Sequence, residues 1–250
     1  MRSTVRRAVR AASVVAVLGL AAACSSDGGG DDEGGTKPSK SAAAQGGGQP
    51  SAQTVLERAA LTKKDVPGYK VDEGTGRDAR GARGGAVRPD VCRPLAGAFA
   101  SAPPSGAGAH VDRVVTGADL EDATSTRVRL SSYEGTGAKK AMADLRTALK
   151  SKKCVTFWDG GERSFGLRSQ AAPDKGDETV SYKLASRKGT FLVRKNVTVV
   201  RSGATLVAFT AENFHEPEVA GEDGVADEAT RAEPKLPAAV VDAQLAKVAK

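Results

Sequence analysis

Three cysteines carry the clearest chemistry in this chain of 250 residues. A cysteine thiol can act as a nucleophile, bind a metal ion, pair in a disulfide or carry a lipid. Cys24 directly follows an apolar run, whereas Cys92 and Cys154 lie in the middle of the chain. No two cysteines have C-x-x-C spacing, which excludes a zinc ribbon.

Residues 1–23 have the pattern of an export signal. Residues 1–10 contain four arginines and no acidic residue, and the apolar run 11–23 follows them. As a helix, this run would be about 20 Å long, which is too short to cross a bilayer core of roughly 30 Å. The sequence from Leu18 to Cys24 resembles a bacterial lipobox, where a peptidase cuts before a cysteine that carries diacylglycerol. We therefore predict a lipoprotein signal peptide over residues 1–23 and lipidation of Cys24, with acyl chains such as palmitate. The alternative is an ordinary A-x-A cleavage site followed by a cysteine by chance.

Residues 24–53 are predicted to form a flexible tether. They are rich in Gly, Ser and Asp and contain almost no apolar side chain larger than Ala, so they cannot bury enough surface to offset the entropy of ordering. Such a segment has a reach of about 30 Å. We expect residues 54–250 to form an extracellular domain that is lipid-anchored to the outer face of the cell membrane. The pair Arg6 and Arg7 allows export by the twin-arginine route as an alternative to general secretion.

The cysteine count predicts one disulfide in this domain. If Cys24 is acylated, Cys92 and Cys154 remain as an even pair in an exported protein, which favours their pairing. Two free thiols, or one thiol acting as a nucleophile, remain the alternative.

The net charge gives no sign of a nucleic-acid partner. Without the four arginines of residues 1–23, the charge falls from +7 to +3, and basic and acidic groups nearly balance.

Hydrophobic periodicity predicts an α+β fold. Six segments have the pattern of strands, and four have the pattern of helices. We expect an antiparallel sheet of about six strands with helices packed on one face. The predicted strands are 110–115, 124–133, 165–171, 179–185, 191–201 and 204–214, and the predicted helices are 54–61, one that begins at Pro89, 137–151 and one that begins at Pro237.

No pattern indicates catalysis, a metal or a cofactor. The sequence has two histidines, His110 and His215, and no nucleophile elbow or phosphate-binding loop. His215 and the carboxylates after it stand beside a proline in an acidic stretch, which favours a solvated strand end over a metal site.

Two features are candidates for ligand binding. Arg77, Arg80 and Arg83 lie in a Gly- and Arg-rich loop that could hold phosphate or carboxylate groups. Trp158, next to Phe157 and before two glycines, could form an exposed recognition patch. The alternatives are a mobile, solvated loop and the rim of the hydrophobic core.

The stretches 61–69, 91–95 and 199–207 resemble the actinobacterial sensor-domain lipoproteins. These are similar to the extracellular domain of mycobacterial PknH-type serine/threonine kinases. The resemblance implies an antiparallel sheet flanked by helices around a cleft that binds an unidentified ligand. The chain departs from the kinase sensors in having one cysteine pair where they have two, and it has no kinase domain.

Together these patterns predict a lipid-anchored, non-enzymatic and monomeric module. It would bind or sense an unidentified small molecule, lipid or glycan of the cell envelope. Two alternatives stay open: an envelope hydrolase or transferase with an unrecognised site, and a structural envelope protein that acts through a protein partner.

Overall fold

One antiparallel sheet organises the fold. The computed structural model describes residues 50–74, 86–100, 104–117, 124–188, 191–215 and 233–249, and within these ranges the sheet has eight strands. The strands are β1 (Tyr69–Glu73), β2 (Ala109–Gly117), β3 (Ser125–Ser132), β4 (Thr156–Asp159), β5 (Glu162–Gln170), β6 (Glu178–Lys188), β7 (Phe191–Ser202) and β8 (Thr205–His215). Their order is β1-β2-β3-β8-β7-β6-β5-β4.

The hairpin β7–β8 forms the centre of this sheet. Its turn contains Gly203, whose φ of 58° lies in the left-handed region that favours glycine. Val197 and Val199 point to one face of the sheet, and Val200 and Val207 point to the other. Both faces of the hairpin are therefore buried, which explains its nearly continuous apolar sequence.

Helices cover both faces of the sheet. The described helices are α1 (Ala52–Ala59), α2 (Arg93–Ala96), α3 (Gly137–Lys150) and α4 (Ala238–Val248). Helices α2 and α3 share one core with Val197, Val199 and Ala208, whereas α1 and α4 share a second core with Val200 and Val207. Residue alternation along the strands separates the two cores.

The predicted α+β class and antiparallel sheet are confirmed, and two details are corrected. The sheet has eight strands rather than about six, because the short edge strands β1 and β4 carry too few residues to show a clear alternation. The helices lie on both faces rather than on one. The consecutive apolar pair Val199 and Val200, which enters two different cores, reflects this arrangement.

A disulfide between Cys92 and Cys154 joins the two helices that cover one face. Each cysteine ends a short 3-10 turn, one just before α2 and one just after α3. Their Cα atoms are 5.5 Å apart, and both residues are fully buried. The pairing predicted from the cysteine count is therefore present in the structure.

None of the helices described above is long and apolar enough to cross a bilayer.

We expect the disulfide to contribute substantially to stability. It closes a loop with a sequence separation of 62 residues. In the chain-entropy model, a loop of this length stabilises the fold by about 4 kcal/mol. Chemical denaturation of a Cys24→Ser chain, with and without reductant, measures this difference. An unchanged midpoint, or two titratable thiols in the unreduced, unfolded chain, would contradict the bond.

Candidate ligand-binding cavity

A cavity of about 320 Å³ lies between α2, α3 and the sheet. Apolar side chains from the helices and from β7 and β8 form much of its wall, and polar side chains come from β3, from α2 and α3 and from the segments next to them. The cavity is lined by Asp90, Arg93, Pro94, Gly97, Ala98, Pro104, Ser105, Arg129, Ser131, Tyr133, Ala141, Asp144, Leu145, Val199, Leu206 and Ala208.

Side chains from the sheet hold α2 in place as one wall of this cavity. A four-residue helix leaves its last carbonyl groups without intrahelical partners. The Tyr182 hydroxyl donates to the Leu95 carbonyl at 2.8 Å, and the Arg129 guanidinium donates to the Gly97 carbonyl at 3.2 Å. The sheet thus adds a second hydrogen bond to the Leu95 carbonyl, which also accepts from the Ala98 N–H at 3.4 Å, and supplies one to the Gly97 carbonyl.

A bidentate ion pair between Arg129 and Asp112 fixes the floor of the cavity. The two residues are directly opposite each other on β3 and β2. Arg129 Nε lies 2.7 Å from Asp112 Oδ1, and Arg129 Nη2 lies 2.8 Å from Oδ2. The Arg129 side chain is 1% exposed, so its charge depends on this carboxylate for compensation.

Ser131 and Tyr133 are largely buried residues that present their hydroxyl groups to the cavity. Ser131 lies in β3 and Tyr133 directly follows it, so the alternation of side chains places both on the same face as Arg129. Ser131 is 2% exposed and Tyr133 is 7% exposed. Neither hydroxyl forms a hydrogen bond with a described residue. The absence of a side chain at Gly137 leaves room for the Tyr133 ring, since a Cβ atom there would lie 3.2 Å from Tyr133 Cβ.

The Tyr133 phenol remains protonated across the physiological range. Burial raises its pKa from 10.0 to about 12, although the Arg129 charge opposes this shift. The folded state therefore favours the neutral phenol. Its contribution to stability is fully present below the ordinary pKa and is lost as the pH rises through about 12. At neutral pH, Tyr133 can donate a hydrogen bond to a molecule in the cavity.

Two exposed ion pairs stand at the cavity rim and leave it without excess charge. Asp90 accepts from Arg93 at 2.8 Å, and Asp144 accepts from Lys140 at 2.6 Å. The rim therefore does not favour a strongly charged ligand of either sign.

Trp158, the one residue predicted to bind ligand that lies in the described ranges, does not line this cavity. Trp158 lies in β4 with 49% of its surface exposed, and its strand pairing places it on the other face of the sheet. Arg77, Arg80, Arg83 and the predicted lipidation site Cys24 lie outside the described residues.

Sequence reasoning missed Arg129, Ser131 and Tyr133 as site residues. A signal was present, because Arg129 alternates with Val128 and Leu130 in a strand whose apolar side is buried. An arginine at the centre of such a strand needs a buried partner or a cavity. The sequence alone gives no indication that Asp112 is that partner.

Lys195 and Ser186 are as close as a general base and its nucleophile would be, but Ser186 is not accessible to a substrate. Lys195 Nζ donates to Ser186 Oγ at 2.8 Å. Burial lowers the pKa of Lys195, and nearby carboxylates, led by that of Glu212, oppose this shift. Ser186 is fully buried, so no substrate reaches its hydroxyl in this structure.

No group of three or more His, Cys, Asp or Glu in the described ranges is arranged to hold a metal ion.

Comparison with known proteins finds similarity among solved structures. The chain is similar to two mycobacterial proteins. The extracellular domain of PknH from Mycobacterium tuberculosis aligns with 80% of this chain and 96% of that domain, at 11% sequence identity and a TM-score of 0.42. An uncharacterised protein from Mycobacterium smegmatis, the Rv0999 ortholog, aligns over 78% and 97% of the two chains, at 16% identity and a TM-score of 0.39.

The resemblance indicated by the sequence is thus found among solved structures. No family model and no curated protein matches the chain. At these identities and TM-scores, the similarity does not indicate a function for this chain.

The Arg129–Asp112 pair can be tested by removing its negative charge. We expect Asp112→Asn to lower the free energy of unfolding by about 3 kcal/mol or more, because a buried guanidinium loses its counter-ion. Asp72→Asn is the matched control, since Asp72 pairs with Lys70 at an exposed site and should change stability by under about 1 kcal/mol. Urea denaturation measures both variants. An equal loss of stability in the two variants would show that the Arg129–Asp112 pair does not hold the site.

Proposed function

We propose that the described fold is a ligand-binding module and that the cavity between α2, α3 and the sheet is its site. The ligand is a small amphipathic molecule with an apolar body and a hydrogen-bonding end. The observation that carries this proposal is the pair of hydroxyls on Ser131 and Tyr133, two residues that line an otherwise largely apolar cavity and whose hydroxyls have no partner among the described residues.

Hydrogen-bond energetics support a ligand at this position. A hydroxyl that faces a cavity without a protein partner forms its hydrogen bonds with water or with a ligand. Arg129 lies beside them and is oriented by Asp112, which makes this end of the cavity polar and rigid. A carbonyl or hydroxyl group of a ligand would accept from Tyr133 here.

The remaining wall supports an apolar ligand body. Val199, Leu206 and Ala208 from the sheet face Ala141 and Leu145 of α3 across the cavity. A volume of about 320 Å³ lies at the lower end of the range of small-molecule sites. The ligand is therefore lipid-like or a small apolar metabolite of the envelope rather than a long glycan.

We further propose that the module is exported and attached to the outer face of the cell membrane through lipidated Cys24. The basic and apolar pattern of residues 1–23 and the glycine-rich composition of residues 24–53 support this location. Two acyl chains give a stable anchor, because each buried CH₂ contributes about 0.8 kcal/mol.

The surroundings of the candidate nucleophiles favour a binding role over catalysis. Ser186 of the Lys195–Ser186 pair is fully buried, and no described carboxylate, histidine or lysine accepts a hydrogen bond from the Ser131 or Tyr133 hydroxyl as a general base would. We therefore propose that the module is not an enzyme.

Native mass spectrometry of the protein purified from its own cells tests the cavity. We expect a bound molecule that is absent from an Ala141→Phe variant, because the added ring would fill space at the cavity wall. We also expect Tyr133→Phe to weaken retention about tenfold, the effect of one buried hydrogen bond.

Ala143→Phe is the control for this experiment, because Ala143 lies on the exposed side of the same helix. It should retain the molecule as the wild type does. A molecule retained equally by Ala141→Phe would place the ligand elsewhere, and a protein free of any bound molecule would contradict a tightly bound ligand.

The anchor is tested separately. We expect Cys24→Ala to prevent acylation and cleavage before residue 24, and the intact mass should lack the diacylglycerol and acyl increments seen in the wild type. A wild-type protein without these increments would refute lipidation while leaving the cavity proposal intact.

A further inference from the structure

Six basic side chains and two aromatic rings share one face of the sheet at the β4 edge. We call this surface the basic face. It comprises Arg88, Arg163, Arg168, Lys183, Arg187 and Arg194, together with Trp158 and Phe165.

Strand register places these residues together. Trp158 of β4 is opposite Arg163 of β5, which is opposite Arg187 of β6. Arg88 pairs with Trp158 in an isolated bridge beyond β4, and partners in antiparallel pairs point to the same side. The basic side chains therefore form a continuous surface across neighbouring strands.

A β-bulge brings Arg168 onto this face. In a regular strand, Arg163 and Arg168 would point to opposite sides because their numbers differ in parity. The register shifts between Phe165 and Arg168, so that Phe165 is opposite Ala185 and Arg168 is opposite Lys183. Gly166, with a φ of 68°, supplies the backbone conformation inside the bulge.

Four of the six basic side chains carry a charge that no described residue compensates. Arg88, Arg163, Arg168 and Arg187 are exposed, and within the described ranges none of the four forms an ion pair. The neighbouring acids Asp159 and Glu162 point to the other side of the sheet, because they pair with each other in register with buried Phe157 and Ser164.

Among the described residues, one acidic side chain lies at the margin of this face. Glu233 pairs with Lys183 at 3.3 Å, next to a shallow depression of about 280 Å³ that Arg168 and Arg194 also line. The four exposed arginines lie outside this pair.

We propose that the basic face docks on the anionic headgroups of a phospholipid bilayer. Charge complementarity provides the attraction, since each basic side chain near an anionic membrane surface contributes about 1 kcal/mol. Trp158 and Phe165 identify a bilayer as the source of the negative charge. Tryptophan favours the headgroup region, where its ring is partly apolar and its N–H stays hydrated. Trp158 is half exposed beside Arg163, as such a contact requires.

Docking in this way leaves the candidate cavity accessible. The cavity lies under α2 and α3 on one face of the sheet, and the basic face belongs to the other. The proposal does not depend on a ligand in the cavity or on lipidation of Cys24.

The test uses residues 24–250 with Cys24→Ser, a chain that contains every described helix and strand. Trp158 is the only tryptophan in the sequence, so its fluorescence reports on the basic face directly. We expect a blue shift, and quenching by brominated acyl chains, with vesicles of phosphatidylcholine and phosphatidylglycerol but not with phosphatidylcholine alone. Raising the salt from about 0.1 M to about 1 M should abolish binding, because the Debye length falls from about 10 Å to about 3 Å.

A charge-reversal variant locates the contact. Arg163→Glu/Arg168→Glu/Arg187→Glu should weaken vesicle binding by about 100-fold or more, at about fivefold for each basic side chain lost. Vesicle co-sedimentation measures this value, and circular dichroism checks that the variant is folded.

The matched control is Lys139→Glu/Lys150→Glu/Lys152→Glu, which makes the same charge change at exposed positions in and just after α3. This control variant should bind anionic vesicles nearly as well as the wild type does. Equal losses in the two variants, or equal binding of the wild type to neutral vesicles, would overturn the proposal. Binding to soluble polyphosphate without binding to anionic vesicles would also overturn it and would assign the face to an anionic polymer.

Discussion

The ion pair between Arg129 and Asp112 is the constraint on which the candidate site depends. A guanidinium that is 1% exposed has to be compensated within the protein, and Asp112 does this from the neighbouring strand. The same guanidinium donates to Gly97 at the end of α2. One buried charge thus orients the polar end of the cavity and holds one of its walls. Tyr182 and the Cys92–Cys154 disulfide hold that wall from two further directions.

A single sheet keeps two chemically different surfaces apart. Alternation along β3 directs Arg129 and Ser131 into the cavity while Val128 and Leu130 enter the core beneath α1 and α4. At the β4 edge, the same alternation separates the acids on one side from the arginines on the other. The bulge at Gly166 is the exception that adds Arg168 to the basic face. In our account, the sheet binds a small molecule on one side and faces lipid headgroups on the other.

Sequence periodicity was sufficient for the long elements and insufficient for the site. The alternation in β3 and β6, the apolar stripe of α3 and the turn at Gly203 each reflect local backbone geometry, so a single segment reveals them. The edge strands β1 and β4 were missed because each is too short to show a clear alternation. The partner of β1 is β2, far along the chain, whereas β4 pairs with the adjacent strand β5. The roles of Asp112 and Arg129 depend on strand register, and the direction of Arg168 depends on one inserted residue. Such features arise from pairing between segments, which the composition of one segment does not encode.

The most direct test of a ligand in the cavity uses the three tyrosines of the chain. In protein with isotope-labelled tyrosine rings, NMR can follow Tyr69, Tyr133 and Tyr182 while an envelope lipid extract is added. Our account predicts a clear change in the ring signals of Tyr133, which lines the cavity, and little change for Tyr69 in β1. Unchanged Tyr133 signals while the extract binds, or a response confined to Tyr69, would contradict it.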